Sequence, residues 1–240
     1  MKLSDFKALS FDCYGTLIDW ETGLFDALVP LTSRVSRPLS RDEVLEAHAR
    51  HESSQQLSTP AKSYRDLLAI VYKRLAEEWG VSVTWSGCVR YGQSVQNWPA
   101  FPDSAAALQY LKQHYKLVIL SNVDNESFAA SNEKLKVAFD AIYTAEDIGS
   151  YKPSDRNFDY MLDKLTSIGI ARHEILHTAE SLFHDHAPAN RHGLVSCWIY
   201  RRHGQQGFGA TVNPGKLPKV DFQFNSMAEL AGAHQAEMRR

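Results

Sequence analysis

The sequence predicts an α/β fold, a Rossmann-like parallel sheet with helices on both faces and an all-helical domain inserted after the first strand. Three observations carry this. From residue 103 onward, short and almost wholly apolar runs alternate with helical stretches, the pattern of parallel strands buried on both faces. Between residues 20 and 98 no segment reads as a strand. A first apolar run, around Ala8, Leu9 and Phe11, precedes that helical stretch, so the sheet begins before the insertion. Residues 1–17 and 99–240 are therefore read as the core domain, and residues 18–98 as the insertion.

Residues 7–12 form the first strand. It ends at Asp12, and Gly15 then permits a turn that other residues resist. Ser40-Arg41-Asp42-Glu43 is a capping box that opens a helix through Val44, Leu45 and His48. After Ser58-Thr59-Pro60 a longer helix carries Leu67, Leu68, Val71, Tyr72, Leu75 and Trp79 on one side and stops at Gly80. Trp98-Pro99-Ala100-Phe101-Pro102 is a return linker, and Asp103 is placed to cap the helix that holds Leu108 and Leu111. Strands follow at residues 116–120, 141–144, 174–178 and 195–200. Helices follow at residues 124–136, at 154–168 closed by Gly169, and at 185–192 closed by Gly193. Ser226-Met227-Ala228-Glu229 is a second capping box, and the Gly-rich stretch 204–209 reads as a flexible loop.

Bulk properties exclude several classes. The chain has 240 residues and a formal net charge of −2, enough for one core with a modest insertion and no strong field toward nucleic acid or an anionic membrane. No apolar run approaches the ~20 residues of a membrane span, and Met1-Lys2-Leu3-Ser4-Asp5-Phe6-Lys7 has no hydrophobic signal region. Cys13, Cys88 and Cys197 are an odd and scattered set, which reads as reduced thiols in a cytoplasmic protein. Cys13 neighbours Asp12 but points to the opposite face of a strand, and is read as a small core residue.

In parallel sheets the site lies at the carboxyl ends of the strands. Asp12, Tyr14 and Thr16 follow the first strand, and Ser121 and Asn122 the second. Tyr151-Lys152-Pro153 follows the third, and Glu180, Ser181, His184 and Asp185 the fourth. Each has an ordinary reading alone. Asp12 could cap a helix, the Ser-Asn and Lys-Pro pairs could be turns, and Lys152 could be a solvated lysine. Together they put three acids and a lysine at one sheet edge. His173, His177, His184, His186 and His192 are close in sequence, but His-Asp-His lacks the spaced ligands of a metal site. His177, inside a strand, reads as a satisfied core histidine.

The run Asp12-Cys13-Tyr14-Gly15-Thr16-Leu17, with Ser121-Asn122, Lys152 and residues 180–185 in the same order, resembles the four motifs of the haloacid dehalogenase superfamily over nearly the whole chain. That resemblance implies Asp12 as a covalent nucleophile and Thr16 as the residue that orients it. It implies Lys152 as the cation that keeps Asp12 ionised, and Ser121 and Asn122 as holders of a substrate carboxylate. Tyr14 stands where the superfamily's phosphatases keep an acid/base Asp, as in the 2-haloacid dehalogenase branch, and is read as substrate-binding. The insertion corresponds to that branch's helical cap, whose halide-binding arginine would be Arg50 here. The resemblance implies a small-molecule substrate, no cofactor, no metal, no nucleic-acid or membrane partner, and a homodimer through apolar cap helices.

The departures concern the leaving group. Phe158, Glu180, Leu182 and His184 replace the Tyr, Ser, Asn and Trp of the dehalogenases. A rebuilt leaving-group side, with Glu180 and Asp185 as acids and His184 in reach of substrate, suits an amine better than a halide. The run 179–185 also resembles the relatives that open L-azetidine-2-carboxylate to 2-hydroxy-4-aminobutyrate, which is the expected reaction. The alternatives are a 2-haloacid dehalogenase, a magnesium-dependent phosphatase using Asp12, Glu180 and Asp185, and a non-catalytic binding protein on the same fold.

Overall fold

The computed structural model describes residues 1–239. The core is a six-stranded sheet in the order β3-β2-β1-β4-β5-β6. The strands are β1 (Ala8–Phe11), β2 (Lys116–Ser121), β3 (Ala141–Thr144), β4 (Ile175–Ala179), β5 (Val195–Ile199) and β6 (Phe222–Phe224). Every pairing is parallel, so all carboxyl ends share one edge. Phe11 lies in register with Ile119 on one side and Thr178 on the other. Asp12 therefore leaves the sheet between the segments that follow β2 and β4. The α/β class read from the sequence is the one observed. The edge strand β6 was not foreseen. It has three residues, none fully buried, too few to show a pattern.

Between β1 and the rest of the sheet run α1 (Trp20–Thr32), α2 (Arg41–Ser58), α3 (Tyr64–Glu78) and α4 (Trp85–Gly92). No strand interrupts them among the described residues. Asp19 caps α1 by accepting the Thr22 N–H. The Ser40 box forms as read, with the Ser40 hydroxyl accepting the Glu43 N–H and the Glu43 carboxylate accepting the Ser40 N–H. α1 presents Gly23 to the return linker, where a Cβ would lie 2.3 Å from the Trp98 ring. The missing side chain lets the buried indole of Trp98 seat against the helix.

The remaining helices cover the sheet. They are α5 (Ser104–Leu111), α6 (Asn125–Leu135), α7 (Ala145–Ile148), α8 (Asp155–Ser167), α9 (Ala187–Arg191) and α10 (Met227–Met238). Three expectations need correction. Asp103 stands at the start of α5 but makes no side-chain cap. Its carboxylate is taken by the Arg201 guanidinium at 2.9 and 3.0 Å and by the Ala228 N–H. The helix expected from residue 185 begins earlier, as a π-helical turn Leu182–His186 capped by the Ser181 hydroxyl on the His184 N–H. Glu229 closes its box one residue early, on the Asn225 N–H. No helix among the described residues is long and apolar enough to cross a membrane.

Candidate active site

The turn after β1 is closed by its own backbone. The Gly15 N–H donates to the Ile18 carbonyl, and the Leu17 and Ile18 N–H groups both donate to the Cys13 carbonyl. Gly15 has φ +94°, a conformation that side chains other than glycine disfavour. The turn leaves the Asp12 carboxylate buried beneath the edge of the sheet. Thr16 donates its hydroxyl to one Asp12 oxygen at 2.7 Å and accepts the Glu180 N–H at 2.8 Å. The first and fourth loops are thereby tied together through the acid.

Lys152 approaches from the loop after β3. Asn122 clamps its backbone by accepting the Lys152 N–H and donating to the Lys152 carbonyl. The buried ammonium donates to Asp12 at 3.0 Å, to Asp185 at 2.6 Å and to the Leu120 carbonyl at 2.8 Å. Two carboxylates thus share one cation. The short contact to Lys152 and a second contact, to His177, hold Asp185 well below the ordinary carboxylate range against the effect of its burial. Asp12 is pushed up by burial first and by the neighbouring Asp185 charge, with Lys152 and Thr16 opposing. Asp12 is therefore the easier of the two to protonate. Lys152 itself is held above its usual value by the two acids, against desolvation.

These groups floor a small cavity of about 40 Å³, room for a few waters or a molecule of a few heavy atoms. Its floor is Asp12, Asn122, Lys152, Ser181, His184 and Asp185. Its roof comes from the inserted helices, as Trp20, Glu52, Gln56 and Tyr64, with Tyr14 and Thr211 at the sides. Glu52 is buried and accepts the Tyr64 hydroxyl at 2.7 Å. Burial raises its carboxyl to about 7, opposed by that hydrogen bond. His184 is lowered to about 4 by burial, so near pH 7 it faces the cavity as a neutral ring.

Of the residues read from the sequence, Asp12, Tyr14, Asn122, Lys152, His184 and Asp185 meet at this cavity, and Thr16 supports it from behind. Three do not join them. Arg50 lies on the outer face of α2, paired with Glu78 at 2.7 Å and largely exposed, in a separate groove with Gly207 and Phe208. Two residues along α2, about half a helical turn, put Glu52 and not Arg50 over Asp12. Glu180 turns its carboxyl into an adjoining cavity with Gly15, Glu21, Arg201 and Arg202, where burial and the Glu21 charge raise it to about 8. Ser121 is buried with its hydroxyl unpartnered and does not line the cavity. The Gly-rich loop has a fixed base: Arg202 is buried on Glu21, and Ala210 and Thr211 are buried beyond it. The sequence reading missed Trp20, Glu52, Gln56, Tyr64 and Thr211. In α2 the spacing Val44, His48, Glu52, Gln55 or Gln56 continues an apolar stripe with polar residues, and that was the available signal.

Magnesium, which a phosphatase would require, fits this donor set poorly. A hard cation wants several oxygen ligands, yet no third acid, histidine or cysteine joins Asp12 and Asp185 in a metal-holding group among the described residues. Lys152 already offsets one of their two charges.

The profile of the haloacid dehalogenase-like hydrolases matches residues 6–178. An (S)-2-haloacid dehalogenase of Pseudomonas putida is 24% identical over 207 residues, which cover 84% of this chain and 88% of that protein. The (S)-2-haloacid dehalogenase 4A of Burkholderia cepacia is 29% identical over 139 residues, and the match spans 55% of this chain and only 53% of the relative. Among solved structures, the L-2-haloacid dehalogenase of Xanthobacter autotrophicus with chloropropionic acid covalently bound superposes with a TM-score of 0.76 at 18% identity, covering 96% of this chain and 98% of that one. The hydrolase YfnB of Bacillus subtilis bound to magnesium superposes at 0.72 and 17% identity, covering 96% and 99%. The structural likenesses establish a common fold, and the profile, matched over most of the chain, establishes the family: this protein belongs to the haloacid dehalogenase-like hydrolases.

Proposed function

We propose that the protein hydrolyses a bond at the α-carbon of a small 2-substituted carboxylic acid, with Asp12 as nucleophile, and that the bond is C–N. An Asp12 oxygen attacks the α-carbon, a C–O bond forms, and the bond to the leaving group breaks with its electron pair going to that group. The product is an ester on Asp12. Water then adds to the ester carbonyl while Asp185 takes its proton. Collapse releases the 2-hydroxy acid and regenerates Asp12. Asp185 suits the second step because it lines the cavity and one of its oxygens, Oδ2, is buried without a partner.

One observation carries the choice of leaving group. Among the described residues, the only cation lining the cavity is already shared by two acids, while the roof supplies a carboxyl, Glu52. Asp12, Asp185 and Lys152 together hold a net negative charge before substrate arrives. A 2-haloacid brings another and ejects an anion. A zwitterion such as L-azetidine-2-carboxylate brings none, and its ring ammonium meets Glu52. Strain assists departure of the ring nitrogen, which remains on the product, 2-hydroxy-4-aminobutyrate, as an amine. The second reading is C–halogen hydrolysis, favoured by the names of the relatives.

Intact-mass analysis after a single turnover in oxygen-18 water separates the two readings. Label on Asp12 after L-azetidine-2-carboxylate, and none after L-2-chloropropionate, supports C–N hydrolysis. Label after the chloro acid alone replaces it with dehalogenation. No label with either overturns both.

A further inference from the structure

His177 lies in the middle of β4, in the centre of the sheet. Its strand neighbours Ile175, Leu176 and Ala179 are buried and apolar. A polar ring there is a poor choice for stability alone, because a buried polar group must find partners. The register supplies one. His177 is in line with Ser10 on β1 and Ser196 on β5, so the three side chains share one face of the sheet. The Ser10 hydroxyl lies 2.9 Å from His177 Nδ1, and His177 Nε2 lies 2.9 Å from Asp185 Oδ1. The Phe158 ring closes over the imidazole edge-to-face at 5.2 Å between centroids.

The donors can be assigned by elimination. Asp185, held ionised, only accepts, so Nε2 carries the proton. The Ser10 hydroxyl has no other acceptor among the described residues and is satisfied by donating to Nδ1. Lys152 and His177 both donate to Oδ1 of Asp185, and neither touches Oδ2. One oxygen is saturated and the other left free.

We infer that His177 is a positioning residue for the water-activating acid, and that Ser10 sets its tautomer. By committing Oδ1, the pair fixes the rotation of the Asp185 carboxyl and leaves Oδ2 as the one oxygen available to a water attacking the Asp12 ester. Alkylation of Asp12 does not use Oδ2. Loss of His177 therefore slows the second chemical step and spares the first. This rests on the ester mechanism proposed above.

Two measurements test it. In wild-type protein labelled with nitrogen-15 histidine, the His177 resonances, assigned by their loss in His177→Gln, show the Nε2–H tautomer. Ser10→Ala, a minor change in volume, mixes the tautomers. A wild-type Nδ1–H tautomer or an imidazolium overturns the assignment, whatever the substrate proves to be. In pre-steady-state turnover of whichever acid labels Asp12, His177→Leu forms the ester within about 3-fold of the wild-type rate and hydrolyses it about 10- to 100-fold more slowly, the range of a lost hydrogen bond to a charged group. Mass spectrometry then finds most of the enzyme esterified. His177→Gln, which keeps a donor near Nε2, restores hydrolysis in part. If His177→Leu fails to fold, Ser10→Ala gives the same pattern in weaker form. Equal slowing of both steps, or none, overturns the inference. Failure of wild-type protein to form any ester overturns the reaction instead, and the tautomer still decides the assignment.

Discussion

The floor and roof of the cavity are built by different means. On the floor, Asp12, Lys152, Asp185 and Thr16 come from three loops at one sheet edge, and hydrogen bonds tie each to the next. Parallel register places them, so moving one moves the strand. On the roof, Glu52, Gln56 and Tyr64 come from α2 and α3 and are held by helix packing, with a hydrogen bond within the group. The floor carries the fixed charges. The roof carries groups that are neutral or close to it, with the Glu52 carboxyl raised to about 7. On the proposed mechanism, attack and hydrolysis sit on the rigid half, and the choice of leaving group on the half that helix rotation can alter.

The sharpest break in this comparison is at the floor. Asp12→Asn is expected to reduce turnover of any substrate by at least ~10³-fold, as loss of a nucleophile does, while thermal unfolding shows a folded protein. A mutant that keeps activity places the chemistry elsewhere. On the roof, Glu52→Gln is expected to lower kcat/KM for L-azetidine-2-carboxylate by about 10- to 100-fold, the range for a lost contact to charge. The same change should alter any turnover of L-2-chloropropionate by less than ~3-fold, since that step leaves no cation at the roof. Equal losses on the two acids would erase the division between floor and roof.

pH separates the halves again. Asp12 must be ionised to attack, and its pKa is raised by burial and by Asp185. The rate should therefore climb with pH along an acid limb lying above the ordinary carboxylate range, read from kcat/KM against pH. Glu52 acts on stability. Its folded value of about 7 exceeds its unfolded one, so the unfolded chain gives up that proton first, and stability falls as pH rises from about 4.5 to about 7. Glu52→Gln removes this loss. Its melting temperature relative to wild type should rise between pH 5 and pH 8, by the equivalent of up to about 3 kcal/mol. The smallest effect belongs to Arg50→Ala. Being exposed and paired with Glu78 outside the cavity, it should change kcat by less than ~2-fold.

The floor was legible in the sequence because parallel strands bring whatever follows them to one edge, so order along the chain becomes proximity in space. Asp12, Asn122, Lys152 and Asp185 could be named together on that ground. The roof was not legible. Whether Arg50 or Glu52 faces Asp12 depends on the rotation of α2 about its axis, which the even mixture of polar residues in that helix leaves open. Glu180 was misplaced for a related reason. Neighbours on an extended segment diverge, and its N–H, not its carboxyl, reaches Thr16. His177 was read as a core residue with satisfied partners. It has them, but which partner it meets depends on strand register and on the π-helical turn that carries Asp185.

Two hydrogen bonds latch the inserted segment to the core. The Tyr151 hydroxyl donates to the Lys62 carbonyl at 2.7 Å, and Asp124 accepts the Arg65 N–H at 3.1 Å. If the proposed turnover requires this latch to part, its speed is set by segment motion through solvent rather than by bonds made at Asp12. Such an enzyme would slow in glycerol in proportion to viscosity, and loosening the latch would raise its throughput while letting bulk water reach the ester before its turn.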